Sequence, residues 1–124
     1  MKEMIYGDTD QGLLGVEDLG DGYKLAVVNV GGTHHCTYVQ FPGIEDISSY
    51  DDISVDAHVH GGFTFLGSLS KYELEGTWIG WDYAHFGDYM FRTYRGCLPG
   101  EKMWTTAEVV NQGLDILTAI KDGK

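Results

Sequence analysis

The chain has 124 residues, with 8 basic and 19 acidic side chains and a formal net charge of −11. A single domain spanning 1–124 follows from that length, and 43% hydrophobic with 13% aromatic residues is enough for one core without metal or disulfide help, which excludes wholesale disorder. The acidic balance also excludes wrapping of DNA or RNA, because phosphate neutralisation supplies most of such affinity and here would repel, so no direct nucleic-acid partner is expected.

Met1-Lys2-Glu3 opens no apolar signal segment, and runs such as Leu25 to Val28 fall far short of the ~20 residues of a membrane span, so a soluble cytoplasmic protein with no membrane partner is predicted. Residues 1–22 carry Gly7, Gly12, Gly15, Gly20 and Gly22 among acids and read as loop with short extended pieces. Asp21-Gly22 predicts a hairpin turn that feeds a strand over Tyr23 to Val30, stopped by Gly31-Gly32. A second strand is expected at Cys36 to Phe41, ended by Pro42-Gly43, and Ile44 to Asp52 reads as a loop or a single helical turn. The 2 cysteines, Cys36 and Cys97, are expected as reduced, buried thiols.

The clearest alternation follows, with Ile53, Val55, Ala57 and Val59 apolar and Ser54, Asp56, His58 and His60 polar, the pattern of a strand. Gly61-Gly62 permits a kink before an extended run from Phe63 to Leu66, and further extended pieces are predicted at Tyr72 to Leu74 and Thr77 to Asp82. Tyr83 to Asp88 reads as a loop or helical turn, Tyr89 to Tyr94 as a short strand or turn, and Pro99-Gly100 as a break. Thr105 as N-cap with Glu108 three residues on forms a capping box, and Val109, Val110, Leu114, Leu117 and Ile120 give the helix behind it one apolar stripe. Strands first and a terminal helix last predict an α+β fold, a twisted antiparallel sheet of about four to six strands with one C-terminal helix. The 18 glycines, against about 9 at average usage, point to tight turns and close backbone approaches.

Metal-type ligands concentrate in three short places, His34-His35-Cys36, Asp56 to His60, and Asp82 to Asp88. On a strand, Asp56, His58 and His60 share a face at about 6.5 to 7 Å per two-residue step, where two imidazoles can chelate one ion. Asp82, His85 and Asp88 recur every three residues, and one turn of 3₁₀ helix aligns them. Two histidines and two carboxylates make a borderline-hard site that suits tetrahedral zinc, with manganese, iron and nickel open. The alternative is a solvated or hydrogen-bonded polar face with no ion. Asp8-Thr9-Asp10 lacks the rest of a calcium loop, His34-His35 reads better as surface or packing than as ligation, and a nucleophile pair of Cys97 with His85 is left open.

The motifs HGGFTF at His60 to Phe65 and WIGWDYAHFGD at Trp78 to Asp88, with Tyr38, Val39 and Pro42 upstream, resemble a family of small phage and prophage proteins. The chain departs from that pattern at Tyr83, where the family often carries cysteine, and at Ile44-Glu45, where many members carry a histidine. The resemblance implies His60, Asp82, His85 and Asp88 as the ligands of one divalent ion in a metal-bound loop, with Asp56 and His58 in support. It extends to metal-containing type II-A anti-CRISPR proteins, and so implies a non-enzymatic inhibitor of a Cas9-type effector in a bacterial host. An effector nuclease holds its nucleic acids in a positively charged channel, where a body of this charge would block DNA loading. Glu45, Asp46, Asp51, Asp52, Glu73 and Glu75 are then the expected contact surface, and the ion a crosslink between loop and strand. The alternatives are a small metal-dependent hydrolase with Asp82 or Asp88 as general base, or a module that sequesters a signalling nucleotide on its aromatic rings.

Overall fold

A computed structural model describes residues 12–30, 34–47, 62–83 and 106–122. Among these residues five strands, β1 (Gly12–Gly20), β2 (Tyr23–Val30), β3 (His34–Gln40), β4 (Phe65–Ser68) and β5 (Thr77–Asp82), form one sheet in the order β1-β2-β3-β5-β4. All four pairings are antiparallel. Among the described residues one α-helix, α1 (Thr106–Lys121), follows the sheet, and the α+β class expected from the order of elements is the one observed. Among the described residues, no helix is long and apolar enough to cross a membrane.

The β1–β2 hairpin closes at Asp21-Gly22, whose φ angles of 56° and 87° are the paired positive values that match the twist of a two-residue turn. β1 itself is a nine-residue strand where loop and short extended pieces were expected. The register shifts between Leu13 and Gly15, and the slip breaks the two-residue alternation that marks a strand in sequence. A second departure lies between β4 and β5, where Ser70–Tyr72 forms a 3₁₀ turn instead of the extended piece expected at Tyr72 to Leu74. The single helical turn allowed after Pro42-Gly43 is present as a 3₁₀ turn at Ile44–Asp46. The strand predicted over Ile53 to His60 and the short strand or turn at Tyr89 to Tyr94 lie outside the described residues.

Alternation splits the core between the two faces of the sheet. Leu14, Leu25, Val27, Val39, Ile79 and Trp81 face α1, whose Val109, Ile116 and Leu117 complete that layer. Gly113 lets the helix approach closely, since a Cβ there would sit 2.7 Å from Leu25 Cδ1. Two polar ties hold α1 to the sheet: His35 Nε2 and Thr106 Oγ1 are 2.9 Å apart, and the buried Tyr83 hydroxyl accepts from Trp81 Nε1 at 3.0 Å while donating to Gln112 Oε1. The opposite face carries Ala26, Val28, Cys36, Tyr38 and Trp78, covered by Leu69, Tyr72 and Leu74 of the β4–β5 connection. The helix begins one residue after the predicted cap at Thr105, and of its expected apolar stripe Val109 and Leu117 are buried while Val110, Leu114 and Ile120 are part-buried, with Ile116 buried in addition.

Candidate functional site

Asp82 ends β5, half-buried on the face that carries Cys36 and Tyr38, and Cys36 stands directly opposite it in the β3–β5 register. The Thr64 hydroxyl, in the segment entering β4, donates to Asp82 Oδ2 at 3.4 Å. Burial and then the neighbouring Asp82 charge push the Cys36 thiol up to about 11, against which a hydrogen bond from Tyr38 works in the opposite direction. Tyr38 is likewise raised above its ordinary value, chiefly by burial. Cys36 is a free, buried thiol, as expected, while Cys97 lies outside the described residues.

Of the four residues that the family resemblance offers as ligands, Asp82 is the one described; His60, His85 and Asp88 lie outside the described residues, as do Asp56 and His58. Among the described residues, no group of three or more His, Cys, Asp or Glu side chains is placed to share an ion. What the structure describes of this region is one half-buried carboxylate, Asp82, with the Thr64 hydroxyl 3.4 Å away and the buried Cys36 and Tyr38 on the same face. His35, in the first ligand-rich place, is buried against α1 through Thr106 and serves packing.

The acids expected at a contact surface divide in the same way. Asp51 and Asp52 lie outside the described residues, while Glu45, Asp46, Glu73 and Glu75 are all exposed. Glu45 belongs to the 3₁₀ turn after β3 and Glu73 and Glu75 to the β4–β5 connection, yet all three line one open groove of about 780 Å³. Its walls include Val16, Phe41, Ile44, Leu74 and Trp78, with Lys24 the one basic lining residue among those described.

The rim is held in place from within. Gln40 Nε2 donates to the carbonyls of Glu75 at 2.9 Å and Thr77 at 3.2 Å, and Trp78 Nε1 donates to the same Glu75 carbonyl at 3.0 Å. Backbone bonds from Tyr72 N to Leu69 O at 2.9 Å and from Leu74 N to Leu69 O at 3.4 Å fold the connection over the sheet. Two acids are therefore presented by a fixed loop, which lowers the ordering cost of any contact they make. Sequence reasoning singled out these acids by charge alone. It missed the groove, because its walls come from β1, the end of β3 and the β4–β5 connection, and no local pattern links them.

No family model, curated protein or solved structure matches the chain.

Proposed function

We propose that this protein acts by docking and not by catalysis, as a phage-type anti-defence inhibitor that binds a Cas9-type effector and blocks loading of its target DNA. The observation that carries the reading is the convergence of Glu45, Glu73 and Glu75, from two separate segments, around one groove on a chain of net charge −11. Carboxylates gathered and fixed on one surface steer a body towards a positive channel and compete there with phosphate. The choice of a Cas9-type effector rests on the likeness of the HGGFTF and WIGWDYAHFGD motifs to phage and anti-CRISPR proteins.

A divalent ion, zinc by its donor set, is proposed for His60, Asp82, His85 and Asp88, where it would supply a crosslink and no chemistry. Asp82 would be its contribution from the sheet, oriented by Thr64.

The test is a competition. Guide-loaded Cas9-type effector is mixed with this protein before labelled target DNA is added, at salt stepped from about 50 to 300 mM. Loss of DNA loading that weakens as salt rises is expected. An effector that loads DNA equally well with and without the protein at the lowest salt overturns the proposal.

A further inference from the structure

The groove between the 3₁₀ turn at Ile44–Asp46 and the β4–β5 connection has hydrogen-bonding chemistry of one sign. Its neutral side-chain donors, the Gln40 amide and the Trp78 indole, are spent inward on the carbonyls of Glu75 and Thr77. What it turns outward are the exposed carboxylates of Glu45, Glu73 and Glu75, against the single ammonium of Lys24. An anionic ligand would find few donors there and three repelling charges. A cation is the complementary occupant.

The rest of the lining decides what kind of cation. Val16, Pro42 and Leu74, part-exposed or exposed, give the groove apolar surface over the buried Phe41 and Trp78, and about 780 Å³ is far more than a bare ion fills. The chemistry that meets both is a long apolar stem ending in a charge, which is a lysine or, with its planar fork of donors, an arginine side chain. We infer that this groove seats an extended basic segment of a protein partner, with side-chain stems on Val16, Pro42 and Leu74 and their charges among Glu45, Glu73 and Glu75. This rests on the docking reading above and gives it a surface and a partner chemistry.

The test uses the full chain and a fluorescein-labelled peptide in which arginine alternates with leucine, beside a control of equal charge with serine for leucine. The double variant Glu73→Gln, Glu75→Gln should bind the arginine-leucine peptide about tenfold more weakly, while Asp115→Asn, Asp122→Asn, which removes the same charge from the exposed face and end of α1, should stay within about twofold. In a ¹H–¹⁵N spectrum the indole N–H of Trp78, which is hydrogen-bonded to the Glu75 carbonyl under the acidic rim, should move on titration, and that of Trp81, equally buried but hydrogen-bonded to the Tyr83 hydroxyl on the helix face, should not. Equal weakening in the two doubles, equal affinity for the serine peptide, or an unmoved Trp78 resonance each overturns the inference.

The same double separates this inference from the wider one. If it still blocks effector loading as the parent chain does, the groove assignment is overturned and inhibition by docking stands. If the peptide is captured in the groove and no effector is bound, the groove assignment is supported and the anti-defence reading falls.

Discussion

Thr37 occupies the centre of β3, opposite Val27 on one side and Trp81 on the other, and is wholly buried beneath Gly113 of the helix. Its hydroxyl has no hydrogen-bond partner among the described residues. From sequence, threonine at a strand centre is an ordinary β-former, and nothing nearby signals that the site is dry. A buried hydroxyl without a partner costs the desolvation of that group, on the order of 1–3 kcal/mol, whereas valine keeps the branched shape and carries no polar atom. Thr37→Val should therefore stabilise the protein by about 1 kcal/mol, a rise in Tm of about 3–5 °C for a domain of this size. Thermal unfolding followed by circular dichroism reads it, and a lowered Tm would mean that the hydroxyl is satisfied in solution.

At the scale of elements, β2, β3 and β5 were legible as short runs rich in β-branched and aromatic residues, with turn glycines after β2 and Pro42-Gly43 after β3, while β1 was hidden by its register shift and the 3₁₀ turn at Ser70–Tyr72 by apolar Tyr72 and Leu74 flanking Glu73. Gly80 shows what composition alone leaves out. A glycine inside TWIGWD suggests a bulge, yet β5 pairs regularly on both sides there, with Tyr38 and Phe65 in direct register. Those two rings meet edge-on across the glycine, with centroids 5.2 Å apart at 82°. A Cβ on Gly80 would lie 2.6 Å from the Thr37 carbonyl oxygen and 2.8 Å from Tyr38 Cε1, contacts that only backbone movement or loss of the ring pair can relieve. Gly67, on the edge strand β4, would place a Cβ at an ordinary 3.4 Å from Phe65. Gly80→Ala should cost about 2–3 kcal/mol and lower Tm by about 10 °C, while Gly67→Ala should be within about 0.5 kcal/mol of the parent. Equal, small effects at the two glycines in urea unfolding would remove the close approach as the reason for glycine in β5.

For the whole molecule, the two sides of the sheet divide the work. One is closed by α1 through Gly113 and the Tyr83–Gln112 bond, and the other presents Asp82 near one end and the acid-rimmed groove at the connection between β4 and β5. The groove was invisible in sequence because it is assembled from distant segments, whereas the proposed ligands come from motifs read in sequence, of which Asp82 is the one described, with Thr64, just before β4, 3.4 Å from it. A crosslink from that anchor to His60, His85 and Asp88 would join the chain between β3 and β4 to the chain beyond β5. Its effect on stability follows from mass action: an ion at about 100 times its dissociation constant adds about 2.7 kcal/mol, which chelation removes. Protein purified without chelator should thus carry close to one equivalent of divalent metal by elemental mass spectrometry, and its Tm should fall by on the order of 10 °C in EDTA. Asp82→Asn, which keeps the shape and a hydrogen bond to Thr64 but loses the charge, should lose most of the metal and most of the EDTA effect while remaining folded. Full metal occupancy in Asp82→Asn would move the site away from the sheet, and a metal-free parent chain would leave the carboxylate as part of a hydrogen-bonded corner beside Cys36.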